Sequence, residues 1–150
     1  MPALVPELSV SDFPAALAFY LRLGWAVVHA RPEDEFALLR LGEAPEAAEV
    51  MLDGMRTGRN FDADLTAADR PFGRGLNLEI TVPALAPVLA AMGDHPLALP
   101  VEEMWYRAGA VEIGVRQFIV ADPEGCLLRF SEPQGTRPCA GPAAEGGHAL

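Results

Sequence analysis

Apolar residues recur along this chain in two rhythms, and the rhythms come in the same order twice. Residues 4–10 (LVPELSV) read as a strand. Ala16, Phe19, Tyr20 and Leu23 then fall at i, i+3, i+4 and i+7, the spacing of one helix face. Ser11 and Asp12 offer an N-cap, Pro14 sits in the first turn where its missing N–H costs nothing, and Gly24 is a stop signal. The pattern predicts a helix over 12–23. Strands are expected at 25–30 (WAVVHA), 35–41 (EFALLRL) and 49–53 (EVMLD), with turns at 32–34 and 42–47. The order then restarts with a strand at 76–82 (LNLEITV). Leu85, Val88, Leu89 and Met92 repeat the helical spacing and Gly93 ends it. Pro87 falls near the fourth helical position, where a proline removes no helical hydrogen bond. Three more strands are expected near 101–107, 115–121 and 126–131.

The expected fold class is therefore α+β, with two βαβββ repeats forming a cupped mixed sheet. The repeats lie at about 4–53 and 75–132, in one domain over 1–132. Residues 133–150 have turn and linker composition and are expected to be a flexible C-terminal tail. Segment 54–74 is polar and irregular, with Arg56, Arg59, Arg70, Arg74, Phe61 and Phe72. A connection this long is either a linker between repeats or a functional loop that covers a groove or contacts a partner.

Composition narrows the function classes. A chain of 150 residues, 51% hydrophobic and 21% charged, makes a globular core. The net charge is −10, from 21 acidic residues against 11 basic ones, all arginine. Such a surface repels nucleic acid and anionic membranes and attracts cations. Cys126 and Cys139 are too few for a disulfide framework and read as free thiols of a cytoplasmic protein. The start MPALVPELSV lacks the basic and long apolar regions of a signal peptide, and no apolar run nears the ~20 residues of a membrane span. His29, His95 and His148 are scattered, and no HxH, HExxH, CxxC, GxSxG or glycine-rich phosphate motif occurs.

One stretch is more specific. Arg116-Gln117-Phe118-Ile119-Val120-Ala121-Asp122-Pro123-Glu124-Gly125, running on to Phe130, resembles the closing hairpin of the vicinal oxygen chelate superfamily, to which glyoxalases, bleomycin-resistance proteins and ring-cleaving dioxygenases belong. Leu8-Ser9-Val10-Ser11-Asp12-Phe13, with Phe19-Tyr20 and Leu23-Gly24-Trp25, is similar to that family's opening strand and helix. The turn itself needs no family: Pro at i+1 and Gly at i+3 of Asp122–Gly125 are β-turn residues. The resemblance covers about residues 4–132 and is greatest to the bleomycin-resistance group, which binds a drug as a homodimer and is not catalytic.

The resemblance also implies where a metal would be held. Those positions here are Val5, Met51, Asn77 and Arg129. Valine has no ligand atom, methionine is soft, and arginine is a permanent cation. No metal site, cofactor or catalytic residue is expected on this basis. Strand alternation places Glu7 and Ser9, Glu49, Met51 and Asp53, Asn77, Glu79 and Thr81, and Leu127, Arg129 and Ser131 on the cup side. Arg129 with Glu7 or Glu79 would form a structural ion pair. Trp105 and Tyr106 are adjacent on a strand, so one faces a groove and the other the core; Trp25 and Phe36 are further groove candidates. Members of the bleomycin-resistance group often carry a tryptophan where Ile113 or Gly114 stands here, so Trp105 would take over its stacking role.

The expected ligand-binding residues are Trp105, Tyr106, Trp25, Phe36, Glu7, Glu79, Arg129 and Asp53. Aromatic planes beside carboxylates suit a flat cation. The leading expectation is a metal-independent, homodimeric antibiotic-resistance protein that sequesters a cationic antibiotic-like small molecule, with no nucleic-acid or membrane partner. The alternatives are a lyase or dioxygenase with an oxygen-rich metal site from Glu7, Glu49, Asp53 and Glu79, and a binding domain for an unrelated metabolite.

Overall fold

The computed structural model describes residues 2–57, 62 and 64–139. The first repeat comprises β1 (Glu7–Val10), α1 (Phe13–Arg22), β2 (Ala26–Arg31), β3 (Phe36–Leu41) and β4 (Ala48–Gly54). The second comprises β5 (Asn77–Thr81), α2 (Ala86–Met92), β6 (Leu97–Ala108), β7 (Val111–Ala121) and β8 (Leu127–Pro138). Each repeat makes a four-stranded mixed sheet, ordered β1-β4-β3-β2 and β5-β8-β7-β6. In each, the first strand runs parallel to the last and the other pairs are antiparallel. The α+β fold with two βαβββ repeats is thus the one the sequence pattern implies. Among the described residues no helix is long and apolar enough to cross a membrane.

Local chemistry explains the boundaries. Asp12 caps α1 by accepting from the Ala15 amide at 3.0 Å, and Gly24 leaves the helix at φ 92°. Strand β1 begins at Glu7 rather than residue 4, because Pro6 has no amide to donate; its carbonyl still accepts from Met51 at 2.8 Å. A bulge between Val27 and His29 puts β2 out of phase with the alternation, and His29 is exposed while Trp25 is buried. Strand β8 continues through Pro138, so residues 133–138 of the expected tail are strand; residues 140–150, with His148, lie outside the described residues. Arg59 and Phe61 lie outside them as well. The end of the connecting segment is not a loose linker, since Phe72 is buried in the core and its amide donates to the Glu124 carbonyl at 2.9 Å.

The two repeats share one apolar core, which joins Phe13, Phe19 and Tyr20 of α1 to Phe118, Leu128 and Phe130 of the second sheet. The β7–β8 turn fastens them. Glu124, nearly fully buried, accepts from the amides of Ser11 and Asp12 at 2.8 and 3.0 Å and from the Ser11 hydroxyl. Asp122 accepts from the Tyr20 hydroxyl at 3.0 Å and from the amides of Glu124 and Cys126.

Burial sets the protonation of this turn. It raises the Asp122 carboxyl above its ordinary value, against the lowering effect of the donated hydrogen bonds. Burial, with Asp122 beside it, also holds the Tyr20 phenol well above its own, so Tyr20 remains a donor. A carboxyl raised in the folded state is stabilising below its unfolded value, and that contribution is lost as pH rises through the folded value. Asp122→Asn preserves the shape but removes this titration, so the difference in melting temperature between native protein and variant is expected to depend on pH between neutral and about 3.8, the ordinary Asp value. The native protein should gain relative to the variant as pH falls, and thermal melts over that range will read it.

Both cysteines are free. Burial and the nearby Asp122 and Glu124 push the Cys126 thiol up to about 12. A thiol reagent at neutral pH is expected to label only Cys139 in the native protein and both cysteines in denaturant. Fast native labelling of Cys126 would contradict this packing.

Candidate functional site: the open sheet faces

The face of each sheet turned away from the shared core carries the polar alternation. On the first sheet, Glu7 stands opposite Met51, Ser9 and Phe36 flank Asp53, and Arg40 pairs with Glu49 across β3 and β4. Three expected site residues, Glu7, Phe36 and Asp53, therefore share one face. Phe36 is half-buried and covered by the Arg31 guanidinium, 4.1 Å from its ring centre.

On the second sheet, Glu79 stands opposite Arg129, and Arg129 opposite Ile119. Gln117 lies between Glu102 and Ser131, and Tyr106 pairs with Ile113 on the same face. Gln117 donates through Nε2 to Glu102 at 2.7 Å and to the Tyr106 hydroxyl at 3.1 Å. Glu79, Arg129 and Tyr106 are thus brought onto one face, where Met104, Tyr106 and Ile113 are exposed apolar groups. The expected ion pair of Arg129 is not formed with Glu79 among the described residues; Arg129 Nε is buried with no hydrogen-bond partner, and so is Gln117 Oε1. Sequence reasoning missed Glu102 and Gln117. Gln117 lay in the recognised hairpin motif, but only its burial shows that it anchors this face.

Two expected site residues lie elsewhere. Trp105 takes the opposite face of β6, because it is Tyr106 that is in phase with Gln117. Its ring covers Gly114, where an added Cβ would sit 2.7 Å from the indole. Arg137 stacks on it at 4.0 Å, and its Nε1 donates to Glu103. Trp105 thus fills the space left by the glycine rather than lining the open face. Trp25 is buried against Tyr20, edge to face at 5.6 Å.

The metal positions do not fit an ion. Val5 precedes β1, and the residue facing Met51 is Glu7; Arg129, opposite Glu79, brings a cation into the same place in the second repeat. The oxygen-rich alternative is not assembled: no three of the described His, Cys, Asp and Glu residues come together to hold an ion. Glu49, one of the four, is instead engaged by Arg40 at 2.6 Å.

No protein-family model matches the chain. No curated protein matches it either. Solved structures do. A virulence protein of Salmonella typhimurium is similar at TM-score 0.58 and 19% identity, over 85% of this chain and 93% of that one. A bleomycin resistance determinant encoded on the transposon Tn5 is similar at TM-score 0.54 and 18% identity, over 89% and 99% of the two chains. A bleomycin-binding protein solved in complex with bleomycin is similar at TM-score 0.52 and 19% identity, over 88% and 98%. The paired repeats, their strand order and these likenesses together give the chain the fold of the glyoxalase/bleomycin resistance protein/dioxygenase superfamily.

Proposed function

We propose that the protein is a metal-independent small-molecule binding protein of the bleomycin-resistance kind, which sequesters a cationic, antibiotic-like ligand in a groove at a homodimer interface. The observation that carries this reading is the open face of the second sheet. There Glu102, Glu79 and the unpartnered Gln117 Oε1 offer acceptors beside the exposed Met104, Tyr106 and Ile113. Carboxylates next to an aromatic and apolar wall favour a flat cation with hydrogen-bond donors. The buried, unpartnered Arg129 Nε offers one donor to a ligand carbonyl. A second copy of the chain would cover the apolar groups that one copy leaves exposed. Glu7, Phe36 and Asp53 of the partner's first sheet would supply the opposite wall.

Calorimetric titration with metal-free and copper-loaded bleomycin tests the ligand. Binding at micromolar or tighter dissociation constant is expected, weakened about tenfold or more by Glu102→Gln with Tyr106→Ala, a loss of at least ~1.4 kcal/mol. Absence of heat at tens of micromolar protein, where micromolar affinity is readily measured, would remove this ligand. Light scattering that finds only monomer would remove the dimer groove.

A further inference from the structure

Five buried side-chain polar atoms lack a hydrogen-bond partner among the described residues. Gln117 Oε1 and Arg129 Nε belong to the open face of the second sheet. The other three, Trp25 Nε1, Glu49 Oε2 and Asn77 Oδ1, belong to residues that line a single cleft of about 340 Å³. It lies between the beginning of β4 and the edge strand β5, floored by Tyr20, Ile80 and Leu128. Unpartnered buried polar groups are costly, and three around one mostly apolar cavity need a common explanation. The volume is at the lower end of the ~300–1,000 Å³ range of ligand pockets.

We propose that this cleft is a binding site for a small, neutral, largely apolar molecule bearing an amide. The chemistry selects the ligand. Arg40 donates through both Nε and Nη2 to Glu49 Oε1, which fixes the carboxylate and leaves Oε2 open. The Glu49 side chain is only 1% exposed, so its charge is already balanced by Arg40 in a nearly dry place. Glu79 also lines the cleft, but it is exposed and water screens its charge; beside the buried Glu49 a cationic ligand would add an unbalanced charge, whereas a neutral N–H donor would not. Trp25 Nε1 is a donor only and requires an acceptor on the ligand. Asn77 Oδ1 accepts a second N–H. A primary amide carries one acceptor and two N–H donors, which matches the three open atoms, and the floor residues take its apolar body. This site adjoins the proposed groove, since Glu79 lines the cleft as well, but it selects a neutral amide where the groove selects a cation.

Benzamide is the probe, with benzamidine as its cationic isostere. Proton–nitrogen correlation spectra of the full chain report on two indole N–H groups, Trp25 and Trp105. Benzamide is expected to shift the Trp25 resonance saturably, with a dissociation constant of about 1 mM or tighter for a ligand of about nine non-hydrogen atoms, and to leave Trp105 in place. Benzamidine should bind at least about fivefold more weakly, a ratio worth ~1 kcal/mol. Ala47→Phe at the mouth should abolish the shift, and Glu49→Gln should weaken binding about tenfold, equivalent to ~1.4 kcal/mol. If either variant fails to fold, the other and the benzamidine comparison decide. An unsaturated or absent Trp25 shift, equal binding of benzamidine, or full binding by Ala47→Phe overturns the proposal. None of these outcomes depends on whether bleomycin binds.

Discussion

Glu124→Ala is expected to cost about 3–5 kcal/mol of stability, the range for stripping the partner from several buried donors at once. The carboxylate is the partner of two backbone amides, Ser11 and Asp12, and of the Ser11 hydroxyl, at 2.8 to 3.0 Å. These amides lead into α1, whose first-turn donors have no helical acceptor. Glu124 therefore serves as a cap supplied from the opposite repeat, more than a hundred residues along the chain. Alanine leaves the two amides and the hydroxyl without their acceptor in a partly buried contact between the repeats. Glu124→Gln separates the charge from the hydrogen bonds. Its carbonyl oxygen can still accept from both amides and its NH2 can donate to the Ser11 hydroxyl, so a loss of about 1–2 kcal/mol is expected. Arg70, 4.0 Å away and half exposed, adds little to the charged form. Chemical denaturation of the three proteins measures both differences. Equal losses for alanine and glutamine would mean that charge, not hydrogen bonding, holds the repeats together.

Much of this arrangement was legible in the sequence because it is local. Helical spacing found α1 and α2, and the Asp122–Gly125 turn was read from its own residues. Alternation put Glu7, Asp53, Glu79 and Arg129 on the cup side, since a strand's period holds wherever the ladder is regular. It failed where the ladder slips. The register of β6 against β7 shifts twice between Leu97 and Glu102, and beyond it only the pairing of Glu102 with Gln117 shows that Tyr106, not Trp105, takes the open face. The end of β8 was missed for another reason. Pro133 and Gly135 are turn residues by composition, but β5 ends at a partner of Ser131, and past that point β8 pairs only with β7. A strand with one free edge tolerates proline. The cleft beside Trp25 was not legible at all. The residues that carry its unpartnered atoms come from β4, β5 and the segment just after α1, and only the packing of the two repeats brings them to one cavity.

Gly125→Ala is expected to cost about 3 kcal/mol or more, by adding overpacking to backbone strain. Gly125 has φ 87°, a conformation that side chains disfavour. An added Cβ would also lie 2.3 Å from Pro71 Cβ and 2.7 Å from Pro71 Cα. The second of these atoms is backbone, so no side-chain rotation relieves the clash. The neighbouring Phe72 is held in place by its burial and its bond to the Glu124 carbonyl, so Pro71 is not free to retreat. Gly109 provides the control. It has φ 67° in the β6–β7 turn, with nothing within 4 Å of an added Cβ. Gly109→Ala should therefore show the strain alone, about 1 kcal/mol. The difference between the two variants isolates the collision between the connecting segment and the closing turn. If that segment only links the repeats, Gly125→Ala and Gly109→Ala should lose equally. If it is clamped against the turn, the larger loss should shrink in part when Pro71→Gly is added, because the clash with the proline ring disappears while the clash with the backbone stays. A double-mutant cycle on Gly125 and Pro71 then reads the clamp directly.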